Sequence, residues 1–98
     1  MPTRIKRLED YSRQRSQEVL LVEAETEGEI DLVMIFRGFS SSLWRSTPSD
    51  PDVPLIDEKA TIVSIDRLAS PYQPDRPRYL QRHFTWSEMV ELLKEAGV

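Results

Sequence analysis

Residues 18–37, EVLLVEAETEGEIDLVMIFR, decide the fold. The first part, EVLLVEAET, is rich in branched residues and then alternates glutamate with small or polar residues, the pattern of a strand whose distal half has one wet face. Glu27 and Gly28 supply a tight turn, because glycine accepts positive φ without steric cost. The return segment, IDLVMIFR, stops at Gly38. A two-residue turn at Glu27 and Gly28 sets the register, placing Leu20, Val22 and Ala24 on one face with Ile35, Val33 and Asp31. The opposite face carries Val19, Leu21, Glu23 and Glu25 beside Phe36, Met34, Leu32 and Ile30. Away from the turn both faces are apolar, whereas a sheet packed on one side alternates more cleanly. The second face is therefore expected to be covered by the chain's own loops or by another protein.

Working outward, residues 60–68, ATIVSIDRL, alternate Val63 and Ile65 with Ser64 and Asp66 and read as a third strand of an antiparallel sheet. Between hairpin and third strand lies a long connection, FSSSLWRSTPSDPDVPLI, residues 39–56, stiffened by Pro48, Pro51 and Pro54. A second proline-rich stretch, SPYQPDRPRYLQRHF, excludes regular structure until about Tyr79. The last segment opens on Thr85, Trp86, Ser87 and Glu88, the spacing of a capping box. Trp86, Met89, Val90 and Leu93 then recur at helical spacing, and Gly97 stands where a helix ends. Residues 1–17 are polar and basic, with Leu8 and Tyr11 at helical spacing, and read as a flexible basic arm with room for about two turns of helix. The expected fold class is α+β: a small antiparallel sheet of about three strands, a C-terminal amphipathic helix and long proline-rich loops, with residues 18–98 as one domain.

Ninety-eight residues suffice for one modest core. The absence of cysteine excludes disulfides, thiolate metal sites and a cysteine nucleophile. No run approaches the roughly 20 apolar residues of a membrane span, so a soluble protein is expected. The net charge of -4 conceals an asymmetry: Arg4, Lys6, Arg7, Arg13 and Arg15, against Glu9 and Asp10, precede a stretch from Glu18 to Asp31 that holds six acids and no base, and Arg76, Arg78 and Arg82 form a second basic patch. Separated signs of this kind suit steering toward a charged protein partner, and equally a basic tail beside a solvated acidic hairpin.

No residue set suggests catalysis. His83 is the only histidine, and with no cysteine beside it the usual zinc ligand sets cannot be assembled, so packing or capping is the expected role. Ser40, Ser41 and Ser42 follow Gly38 as in a phosphate cradle, but GFSSSLWR lacks the lysine and second glycine of a P-loop. Asp50, Asp52, Asp57 and Glu58 lack the spacing and turn glycine of a calcium loop. Nucleic-acid binding through the arginines, Tyr72 and Tyr79 is opposed by the net acidity. What remains is interface material: Phe39, Ser41, Leu43, Trp44 and Arg45 in a proline-bounded loop, with Arg76, Arg78 and Arg82, are the candidate contact residues, aromatic side chains and arginine being enriched at interface hot spots. Phe39, Leu43 and Trp44 would equally serve as an internal cover for the second sheet face.

The segments GFSSSL, DPDVP, SIDRL, SPYQP and the tryptophan-containing helix together resemble the V-subunit (NdhV) family of the photosynthetic NAD(P)H dehydrogenase-like (NDH) complex of cyanobacteria and chloroplasts. The likeness spans Glu18 to about Leu93. It implies a peripheral, non-catalytic auxiliary subunit without a cofactor of its own, on the cytoplasmic or stromal side of the thylakoid membrane. Such a subunit stabilises the ferredoxin-binding module that includes the S subunit and supports cyclic electron flow around photosystem I. The expected partners are other subunits of that complex, with ferredoxin reached indirectly and no nucleic acid. An assembly or regulatory factor for another photosynthetic complex, or a small RNA-binding module, is the alternative.

Overall fold

The computed structural model describes residues 3–43, 56 and 59–98. In chain order the elements are helix α1 (Arg4–Gln14), strands β1 (Glu18–Thr26), β2 (Glu29–Phe36), β3 (Phe39–Ser42), β4 (Thr61–Ala69) and β5 (Tyr79–Phe84), and helix α2 (Trp86–Glu95). Glu27 and Gly28 take φ of 53° and 81°, the left-handed pair whose twist matches a two-residue hairpin. Leu20 accordingly faces Ile35, Val22 faces Val33 and Ala24 faces Asp31, the register read from the sequence.

The chain is α+β, but its antiparallel sheet has five strands where about three were expected, in the order β3-β2-β1-β4-β5. The first additional strand follows from a second turn of the same kind. Arg37 and Gly38 take φ of 50° and 85° and return Phe39–Ser42 along β2, so that Phe36 faces Phe39 and Met34 faces Ser41. Three serines conceal this strand because serine has little intrinsic preference for it. β5 is concealed for another reason. As an outermost strand it carries five exposed residues before the buried Phe84, and so lacks an alternating pattern. Residues 44–55 of the first proline-rich connection lie outside the described residues.

Both helices pack on the face formed by Leu20, Val22, Val33, Ile35 and Ile65, which are fully buried. The stretch read as a basic arm is an 11-residue helix that buries Ile5, Leu8, Tyr11 and Ser12 in that core. The Thr3 hydroxyl caps it, accepting from the Lys6 amide at 3.1 Å. Its position is fixed by a polar bond: the buried Gly38 amide donates to Ser12 Oγ at 2.8 Å, tying α1 to the β2–β3 turn. In α2 the capping box closes both ways, Glu88 N to Thr85 Oγ1 at 3.1 Å and Thr85 N to Glu88 Oε1 at 3.0 Å. Gly97, at a φ of 77°, reverses the chain. The Val98 and Gly97 amides there donate to the Leu93 and Lys94 carbonyls.

Candidate functional site

The side of the sheet away from the helices is assembled by register alone. Alternation places Val19 and Leu21 of β1, Leu32, Met34 and Phe36 of β2, Phe39 and Ser41 of β3 and Leu68 of β4 on this outer face. Val19, Leu21 and Leu68 form a second, smaller apolar cluster, against which Leu32, Met34, Phe36 and Tyr72 are only partly buried. Tyr72 reaches over from the 70–78 connection. Between it and the sheet lies an open groove of about 480 Å³ lined by Val19, Met34, Phe36, Arg37, Ser70, Pro71 and Tyr72.

At the margin of this groove stands Phe39, paired across the strand with the groove residue Phe36 and 81% exposed. Leu43 and Ile30 are exposed as well. An aromatic ring this accessible, contiguous with half-buried leucine, methionine and phenylalanine, is the kind of patch that marks an interaction surface. The far end of the same face is acidic, carrying Glu23 and Glu25. The end near the groove carries Arg37, whose guanidinium lies 4.9 Å from the Phe36 ring centre.

The structure divides the residues that the sequence grouped. Phe39 and Ser41 share the outer face of β3, and Leu43 follows directly, its amide donating to the Leu32 carbonyl at 2.8 Å. Trp44 and Arg45 lie outside the described residues, as do Asp50, Asp52, Asp57 and Glu58. Arg76, Arg78 and Arg82 belong to β5 and the segment before it. β5 and β3 stand at opposite margins of the sheet with three strands between them. At the ordinary spacing of hydrogen-bonded strands this separates them by roughly 19 Å. These arginines and Phe39 therefore cannot form one patch. Ser40 and Ser42 turn inward, donating to Glu9 Oε2 at 2.7 Å and to Asp31 at 2.8 Å, which makes them structural. His83 is exposed at a φ of 60°, and its amide donates to Asp66 Oδ1. Of the groove residues, Met34 and Phe36 lie on the apolar face expected to be covered, whereas Tyr72 is an addition. The register already aligned Met34 and Phe36 with Val19, but nothing in the sequence signals the approach of Tyr72.

One polar cluster crosses the helix-covered side. Glu18 accepts from Arg67 Nε at 2.6 Å and from the Tyr11 hydroxyl at 3.0 Å, and Arg67 also donates to Gln81. Burial by itself raises the Glu18 carboxyl, yet the bond and charge of Arg67, with the Tyr11 hydroxyl, overcome it and hold the group below its ordinary range. Burial, then the Glu18 charge, pushes the Tyr11 phenol up. The bond to Glu18 raises Arg67 against its own desolvation. The cluster ties α1, β1, β4 and β5 together. Among the described residues, no three of His, Cys, Asp and Glu gather to hold a metal ion, and no helix is long and apolar enough to cross a membrane.

Residues 5–93 match a family described as Domain of unknown function (DUF7734). No curated protein and no solved structure matches the chain.

Proposed function

Taking as premise that the chain belongs to the DUF7734 family, we propose that it is a non-catalytic docking subunit whose outer sheet face seats another protein. The carrying observation is Phe39, 81% exposed at the margin of an apolar groove on a face that packs against neither helix. A protruding aromatic residue beside a concave apolar surface has the anatomy of an interface hot spot. Desolvating Phe39 fully is worth about 2 kcal/mol of association, roughly a quarter of the free energy of a micromolar complex.

The resemblance of GFSSSL, SIDRL and SPYQP to the V-subunit family supports a particular assembly, the photosynthetic NDH complex. In this reading the chain is a peripheral subunit at the cytoplasmic or stromal side of the thylakoid. It stabilises the ferredoxin-binding module beside the S subunit and thereby supports cyclic electron flow. It supplies contact area and holds no cofactor of its own.

Affinity purification of the tagged chain from detergent-solubilised photosynthetic membranes, followed by mass spectrometry, tests this. Recovery of NDH subunits with the wild-type chain, and their loss with Phe39→Asp, is the expected result. Recovery of a different photosynthetic complex, or of RNA in place of protein, overturns the assignment. Equal recovery with Phe39→Asp overturns the placement of the interface.

A further inference from the structure

We propose that the free margin of β5 binds an extended acidic peptide, adding it to the sheet as a further strand; this stands apart from the outer-face reading and uses the opposite edge of the molecule.

β5 ends the sheet, bonded to β4 on one side and facing no strand on the other among the described residues. An unpaired strand margin is a template for a peptide backbone. Around this margin stand three arginines, Arg76, Arg78 and Arg82, all exposed, and among the described residues none of them is paired with a carboxylate. Arg82 is held in place: its guanidinium lies 4.0 Å from the centre of the Tyr79 ring. A guanidinium held over a ring in this way keeps N–H groups free to meet a carboxylate in two parallel bonds. Leu80, 52% exposed, adds an apolar contact on the same strand. It lies opposite no β4 residue, because the register slips between Arg67 and Leu68. The peptide that fits has acidic side chains for the arginines and a branched apolar residue for Leu80.

The same arginines could meet the phosphates of single-stranded RNA, but two observations favour peptide. Binding of single strands relies on open aromatic faces for the bases, and here Arg82 occupies one face of Tyr79 while Tyr72 packs into the outer-face cluster. The chain also carries a net charge of -4, which opposes an RNA with a charge at every nucleotide more than a peptide with one at alternate residues.

The test is fluorescence anisotropy of the full chain with a labelled heptapeptide of alternating glutamate and valine at low salt. Saturable binding is expected, weakened about tenfold or more by Arg78→Glu combined with Arg82→Glu, and weakened further by added salt. A second probe leaves the protein unaltered: the same peptide N-methylated at alternate residues loses its strand-pairing donors and is expected to bind at least about tenfold more weakly. Binding that ignores N-methylation overturns strand addition. Failure of the peptide to bind at millimolar concentration, or equal binding of a seven-nucleotide RNA, overturns the proposal as a whole. Phe39→Asp is expected to leave peptide binding unchanged, so the two edges of the sheet are tested separately.

Discussion

Replacing Arg67 with methionine should reverse the sign with which Glu18 contributes to the pH dependence of stability. Glu18 and Arg67 side chains are 12% and 20% exposed, so their pair lies between the surface and the interior. Removing one partner of a fully buried pair costs roughly 3–5 kcal/mol, and an exposed pair is worth under about 1. Arg67→Met is therefore expected to destabilise by about 2–3 kcal/mol at neutral pH, roughly 10–20 °C in melting temperature for a domain of this size. In the native protein the Glu18 carboxyl is depressed. Its contribution is present above the unfolded-state value and is lost as pH falls through the folded one. Without Arg67, burial is the largest single influence left and is opposed only by the smaller effects of the Tyr11 hydrogen bond and the Arg15 charge, so the carboxyl is expected to rise and the folded state to bind the proton more readily than the unfolded chain. Stability lost to the mutation should then recover as pH falls from 7 toward 5. Urea denaturation of both proteins at pH 7, 6 and 5 measures this, the other carboxylates cancelling in the difference. A gap between wild type and variant that stays constant or widens toward pH 5 refutes the reasoning. Glu18→Gln added to Arg67→Met should flatten the difference by removing the titrating group.

Ser12→Ala leaves the buried Gly38 amide without its acceptor and should cost about 1–3 kcal/mol in chemical denaturation, with Ser12→Gly no better. Thr85→Ala opens the α2 capping box and should cost about 1 kcal/mol; a neutral result would mean that packing of Met89 and Leu93 alone holds the helix start. Phe39→Asp removes an exposed ring and should shift the melting temperature by no more than a few degrees; a large loss of stability would make Phe39 part of the fold and not of an interface.

The hairpin is legible in the sequence because its signals agree: the turn chemistry of Glu27 and Gly28, the branched residues and the two-sided apolar register all specify the same pairing. Helix α2 is legible for the same reason, capping box and apolar spacing coinciding. β3 is not, since its Ser-Ser-Ser core hides a strand that Arg37 and Gly38 alone announce. α1 reads as an arm because basic residues dominate it, while the three apolar positions that dock it, Ile5, Leu8 and Tyr11, are too few to assert a full helix before the sheet surface is known. Of the candidate site, the outer-face alignment follows from register. The separation of Phe39 from the arginine segment does not, because strand order depends on the long-range pairing between β1 and β4, which local pattern does not encode.

The arrangement of β3 and β5 at opposite margins gives the domain the geometry of a spacer. Three hydrogen-bonded strands stand between them, and a sheet resists stretching across its ladders far more than a loop resists extension. Two bodies attached at the two margins would be held at a set separation and relative orientation, so the domain can act as a rigid gauge between neighbours as well as an adhesive for either one.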